Sequence, residues 1–197
     1  MKDTDTTQTR LSARDRLLEA AGILFYNEGI AATGIDTITK KAGVAKKSLY
    51  NNFSSKAELV TTYIRLRHEE WLALYDVRLQ QAITPAQRIL AVFDAYHDHA
   101  EFAYERGFRG CGLLNAAAEF PAGSEERREV CAHKSEVADI IRKNLYQLLP
   151  EDTAKAEQLT AHLAFLLEGA IVLAGLEEHG ARVLQAAAMA KTMLEAL

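Results

Sequence analysis

Residues 43–56 read Gly-Val-Ala-Lys-Lys-Ser-Leu-Tyr-Asn-Asn-Phe-Ser-Ser-Lys. A glycine able to make a sharp reversal precedes Leu49 and Phe53, whose spacing of four places them on one face of a short helix. Just upstream, Ile35–Ala42 has the length and apolar spacing of another short helix. The two fit a helix-turn-helix: residues 35–42, a turn at Gly43 and Val44, then residues 45–53. In that arrangement Ile38, Val44, Leu49 and Phe53 hold the helices together, while Lys46, Lys47, Ser48, Tyr50 and Asn51 face outward. The outward set has the chemistry to read a duplex. Lysine donates to guanine O6 and N7, asparagine pairs with adenine, and serine, tyrosine and lysine all reach phosphate oxygens.

The charge distribution points the same way. The 197-residue chain has a net charge of −4, which argues against indiscriminate nucleic-acid binding. Residues 31–56, however, carry Lys40, Lys41, Lys46, Lys47 and Lys56 against Asp36 alone. A local basic patch on an acidic body is the footprint of a small anion-contacting site. Without the helix-turn-helix pattern, a solvated lysine surface would explain it as well.

Working outward, apolar residues recur at helical spacing throughout and no stretch alternates as a strand would, so the fold class is all-α. Ser12 is placed to cap a first helix that closes at Asn27, Glu28 and Gly29, and Ser54 or Ser55 to cap a long helix toward Gln80, with Glu58 in capping-box position. Thr84 and Pro85 open a helix expected to run to about Arg106. Further helices are expected at residues 113–120, 124–149, 153–178 and 181–196, the first two ending at Pro121 and Pro150. The Thr-rich start is expected to be a disordered tail over residues 1–11.

Residues 14–60, RDRLLEAAGILFYNEGIAATGIDTITKKAGVAKKSLYNNFSSKAELV, resemble the N-terminal DNA-binding domain of the tetracycline-repressor (TetR) family of transcriptional regulators. The ordered features are the Ala-Ala-x-x-Leu-Phe helix, the Gly29 stop, Thr33, the Ala-Gly-Val turn at 42–44 and Ser-Leu-Tyr-x-x-Phe-x-Ser-Lys at 48–56. The resemblance implies a DNA-binding domain over residues 12–55 and a ligand-binding and dimerisation domain over residues 56–197. It implies a homodimer that binds a palindromic DNA operator and is released by a small-molecule inducer. Lys46, Lys47, Ser48 and Asn51 occupy the base-facing positions, with Lys47 and Asn51 equally able to reach backbone, and Tyr50, Lys56 and Thr33 match phosphate contacts. Two departures stand out: Ala45 replaces a Ser or Thr cap, and Lys47 stands where glycine is common.

The stretch from Thr153 to Glu178 is apolar on nearly every side, so it needs cover all round. A second copy is the expected cover, through the last two long helices, with small residues such as Gly169 and Gly175 allowing close approach. Phe93, Tyr96, His97 and Tyr104 are expected on one face of the helix from Pro85, as a ligand-pocket wall. Cys111, Asn115 and Glu119 in the 109–120 segment, and His162, Phe165 and Glu168 on the long apolar helix, are the other candidate ligand contacts. Each has an ordinary alternative as core or as a hydrogen-bonded buried group. His97 with Asp94 and Glu101 has helical spacing for a metal, but a solvated carboxylate face accounts for it, and neither metal nor cofactor is expected.

No Gly-x-Ser-x-Gly elbow, phosphate loop or His-Glu-x-x-His occurs, so an enzyme is not expected. A DNA-binding activator or architectural factor without an effector stays open. No signal-peptide block or membrane-length apolar run is read in the chain, and Cys111 and Cys131 lack metal-ligand spacing. A cytoplasmic protein with free thiols is the expectation.

Overall fold

The computed structural model describes residues 11–197, so the tail expected over residues 1–11 lies, except for Leu11, outside the described residues. Among the described residues there are nine helices and no strand: α1 (Ala13–Glu28), α2 (Ile35–Ala42), α3 (Lys46–Asn52), α4 (Lys56–Leu79), α5 (Pro85–Ala100), α6 (Gly112–Ala118), α7 (Glu125–Leu148), α8 (Thr153–Glu177) and α9 (Ala181–Glu195). The chain forms two compact units that meet between Tyr63 and Ile64, inside α4. The first unit therefore takes in the opening turns of α4 beyond residue 55.

In the first unit the Ser12 hydroxyl accepts the Asp15 N–H at 3.1 Å, capping α1. Leu17, Leu18, Ala21 and Phe25 of α1 are buried, and the Phe25 ring meets Tyr63 edge-on at 5.4 Å. Leu49 and Phe53 are buried with Ile38, as the spacing requires. Gly43 closes α2 in the left-handed region, φ 62°, which lets its N–H and that of Val44 bond back to Lys40 O and Thr39 O. A Cβ there would lie 2.8 Å from Arg16 Nη2, so a side chain would also require Arg16 to shift.

In the second unit α5 packs against α7 and α9, α8 against α7 and α9, and α6 on α7. Its core includes Ile89, Val92, Phe93, Ile141, Leu145 and Leu163, all fully buried. Thr84 and Gln87 form a reciprocal capping box at the start of α5, with Pro85 in its first turn. The helix stops at Ala100, short of the expected Arg106: the Glu101 N–H bonds back to His97 O and Asp98 O, and the chain turns away. Burial outweighs helical propensity here, because the irregular segment carries Phe108 into the interior, 6% exposed, and brings Tyr104 back onto His99. The same segment lies backbone to backbone on α8; a Cβ at Gly175 would fall 2.6 Å from Gly110 Cα.

By length and composition α8 could cross a membrane, and only 33% of its most apolar window is buried within the chain. Phe165 and Leu176 are about three-quarters exposed, and Val172, Leu173, Leu184 and Met189 add to this uncovered apolar surface on α8 and α9.

Candidate functional site

The second helix of the helix-turn-helix presents a compact outward face. Lys46, Lys47, Tyr50 and Asn51 are exposed and Ser48 is half-buried, while Leu49 behind them is fully buried. Arg16 fixes this helix from α1: its Nη2 donates to Ala42 O at 2.5 Å and to Gly43 O at 2.6 Å, gripping the turn itself. Arg14 lies over the Phe53 ring, 5.3 Å from its centroid. Neither arginine was expected as part of the motif; each acts through a fold contact 26 or more residues away that no local pattern encodes.

Two expected phosphate contacts are engaged within the chain. Thr33 is 2% exposed and its hydroxyl donates to Gly29 O at 2.6 Å, so it completes the end of α1 rather than facing solvent. Lys56 is half-buried and its Nζ donates to Ile30 O at 2.5 Å. The start of α3 also lacks a side-chain cap, as Ala45 implies. Lys46 instead reaches Asp36, and that hydrogen bond and charge raise its pKa.

The second unit holds a narrow, nearly filled cavity of about 20 Å³, room for about one water. Trp71, Tyr96, His99, Phe108 and His133 supply aromatic walls, and Cys111, Leu113, Ile171 and Val183 close it. Trp71 stacks on Tyr75 at 5.7 Å and meets Tyr96 and His133 at 5.2 and 5.5 Å.

A continuous polar relay runs behind one wall. Lys134 Nζ donates to the Tyr96 hydroxyl at 3.2 Å, and that hydroxyl lies 3.0 Å from His133 Nε2. His133 Nδ1 is 2.8 Å from His68 Nδ1, and His68 Nε2 is 3.2 Å from Glu136. With both imidazoles neutral, one assignment satisfies every link: Tyr96 O–H to His133 Nε2, His133 Nδ1–H to His68 Nδ1, and His68 Nε2–H to Glu136. It needs a neutral His133. Burial, with Lys134, His68 and His99 nearby, lowers its pKa to about 3. Burial, Arg67 and Lys134 lower His99 to about 4. Burial opposes the charge of Lys134, but Cys111, Tyr96 and Glu168, the last at 2.8 Å, hold its pKa above the ordinary value.

The comparisons agree with this architecture. The family model for bacterial regulatory proteins of the tetR family matches residues 17–62. The transcriptional repressor KstR2 of Mycolicibacterium smegmatis is 33% identical over 103 residues, 49% of this chain and 50% of the relative. The transcriptional activator FasR of the same organism is 34% identical over 88 residues, 45% of this chain and 40% of the relative. The chain thus matches about half the length of these curated relatives. The crystal structure of a TetR-family transcriptional regulator from Streptomyces coelicolor superposes with a TM-score of 0.83 at 29% identity, covering 93% of this chain and 94% of that one. Residues 17–62 thus carry the tetR-family DNA-binding unit, and the chain as a whole is similar in fold to TetR-family regulators.

Within this TetR-family fold, the candidate ligand residues separate. Tyr96 and Cys111 line the cavity, and Tyr104 stands beside it against Phe108. Cys111 also borders a shallower concavity with Asn115, whose amide donates to Arg109 O at 3.0 Å. Phe93 is core, and His97 is half-buried on another side of α5, 3.7 Å from Glu101. Glu119 ends α6, His162 and Phe165 are exposed on α8, and Glu168 acts on the wall through Lys134. Cys111 and Cys131 are both free thiols. Among the described residues no group of three or more His, Cys, Asp or Glu is placed to share a metal ion.

Trp71, His99, Phe108 and His133 went unread because they come from α4, α5, the segment after it and α7. The sequence offered one usable signal, a lone tryptophan at helical spacing from Tyr75.

Proposed function

We propose that this chain is a dimeric, ligand-responsive transcriptional regulator that represses by occupying a palindromic DNA operator and is released by a small-molecule inducer. The exposed Lys46, Lys47, Tyr50 and Asn51 face of α3, on a helix seated by buried Leu49 and a turn gripped by Arg16, carries the reading. Those side chains meet base edges and phosphates in the major groove, with Ser48 beside them. The helix-turn-helix unit serves as the DNA reader, and the rest of the chain binds the effector and the second copy. DNA reading places its work in the cytoplasm.

The uncovered apolar surface of α8 and α9 supports the dimer, because burying it against a second copy removes Phe165, Leu176 and their neighbours from water. A two-fold dimer presents α3 twice, at a separation that sets the half-site spacing. Effector binding in the second unit favours a dimer geometry that no longer matches that spacing, a shift between pre-existing states.

FasR is named an activator, so activation is the second reading. Transcription from the selected operator's promoter, measured with and without the protein, decides the sign. A rise on removing the protein supports repression, and a fall supports activation.

A further inference from the structure

The relay of Lys134, Tyr96, His133, His68 and Glu136 runs from the interior to the surface. His133 and Tyr96 are buried, whereas 26% of the His68 side chain and 51% of the Glu136 side chain are exposed. Each link has room for one hydrogen, so the direction of one bond sets the next. An ionised Glu136 only accepts, and its 3.2 Å contact keeps a hydrogen on His68 Nε2. In a neutral His68 that leaves Nδ1 bare, so His133 donates across the 2.8 Å between the two Nδ1 atoms and its Nε2 accepts from Tyr96.

A proton taken up by His68 goes to Nδ1, its one bare nitrogen. Two N–H groups cannot face each other at 2.8 Å, and a second positive ring is disfavoured at His133, which burial and Lys134 keep neutral with a pKa lowered to about 3. We propose that His133 is a tautomeric relay: when His68 takes up a proton, the hydrogen of His133 changes from Nδ1 to Nε2, and Tyr96 turns from donor to acceptor at that link. The net change is one proton from solvent, held on His68; His133, Tyr96 and Lys134 each keep their number of hydrogens. No charge enters the interior, yet its hydrogen bonds reverse. The Tyr96 oxygen then accepts from both His133 and Lys134, and its own hydrogen is released toward a new acceptor, with the water-sized cavity that Tyr96 lines beside it. The cavity wall thus answers to acidity at the surface.

The other charges about the relay are compensated. On α4, Arg65 is held by Glu129 and Arg67 by Glu70, and Lys134 of α7 is held by Glu168 of α8. His99 of α5, the other histidine beside His133, is kept neutral by burial, and Cys111, just before α6, stands near Tyr96 and Lys134.

The full chain labelled with ¹⁵N-histidine is followed from about pH 8 to about pH 5, across the ordinary histidine range, by long-range ¹H–¹⁵N spectra, which show the ring nitrogens that carry hydrogen. Single substitutions assign the six histidines. His133 is expected to carry its hydrogen on Nδ1 at the alkaline end and on Nε2 at the acid end, changing with the same midpoint at which His68 becomes doubly protonated. In His68→Gln, whose amide oxygen accepts but does not titrate, His133 is expected to keep Nδ1–H throughout. Where that variant does not fold, the wild-type spectra decide alone. A His133 that carries hydrogen on Nε2 at the alkaline end, keeps Nδ1–H while His68 charges, becomes doubly protonated itself, or changes tautomer in folded His68→Gln overturns the assignment, as does a His68 that stays neutral throughout.

Discussion

Lys46 Nζ lies 2.9 Å from Asp36 Oδ1, joining the first turn of α3 to the first turn of α2. Both side chains are more than half exposed, so the pair contributes little to stability. On the proposed reading its effect falls on DNA binding, because Asp36 engages a lysine assigned to the base edges and sets a negative charge beside the proposed DNA face. Asp36→Asn is expected to tighten binding to a selected operator by about 2–10-fold at low salt and to steepen its salt dependence. Weaker binding of the variant would show that the pair orients Lys46 for the groove.

Ala45 holds the N-cap position of α3 in extended geometry, φ −70° and ψ 148°, with no side-chain bond to the first turn. Ala45→Ser supplies an acceptor to an N–H of that turn without changing the backbone. It is expected to stabilise the protein by about 1 kcal/mol, raising the melting temperature by about 2–4 °C. An unchanged or lower melting temperature in calorimetry would contradict this.

Phe165 and Leu176 protrude from α8 with 74% and 76% of their surface exposed. Phe165→Glu and Leu176→Glu therefore leave the subunit's own core intact while charging the surface assigned to the second copy. Sedimentation is expected to give twice the subunit mass for the wild type at micromolar concentration and the subunit mass for the double variant. A monomeric wild type would rule out this dimer.

His133 is buried and His99 half-buried, and desolvation lowers their pKa values to about 3 and about 4, which keeps both neutral. A depressed histidine binds fewer protons folded than unfolded, so its stability contribution is complete above about pH 6.5 and is lost as pH falls toward the folded pKa. Each histidine adds a slope of up to about 1.4 kcal/mol per pH unit. Burial raises the pKa of Glu70 and Asp94, and these carboxylates gain protons on folding and oppose the trend at lower pH. The melting temperature is thus expected to fall between pH 6.5 and 5, less steeply in His133→Gln. A flat profile in the wild type would contradict neutral burial.

The helix-turn-helix was legible because its determinants are local: a left-handed glycine, an apolar pair four residues apart, and polar residues between. Thr33 was read as a surface contact because its bond to Gly29 O depends on how α1 ends. The α5 boundary was overextended because helical spacing continues through Tyr104, while burial of Phe108 turns the chain earlier. The cavity was least legible. Trp71 and His133 are 62 positions apart and meet only when α4 and α7 pack, and a sequence window sees each as an ordinary core residue. The α8 periodicity reported apolar surface correctly, but spacing alone could not distinguish a side covered within the chain from one left open.

The central claim is that α3 reads a DNA sequence, and one titration tests it most directly. Wild type and a Lys46→Ala, Lys47→Ala, Asn51→Ala triple variant are titrated at near-physiological salt against the operator selected by the wild type and against random duplex of equal length. The wild type is expected to prefer the operator by about 10³-fold or more, and the triple variant to lose most of that preference while keeping its fold and melting temperature. Equal affinity of the wild type for operator and random duplex, or an undiminished preference in the variant, would contradict the account.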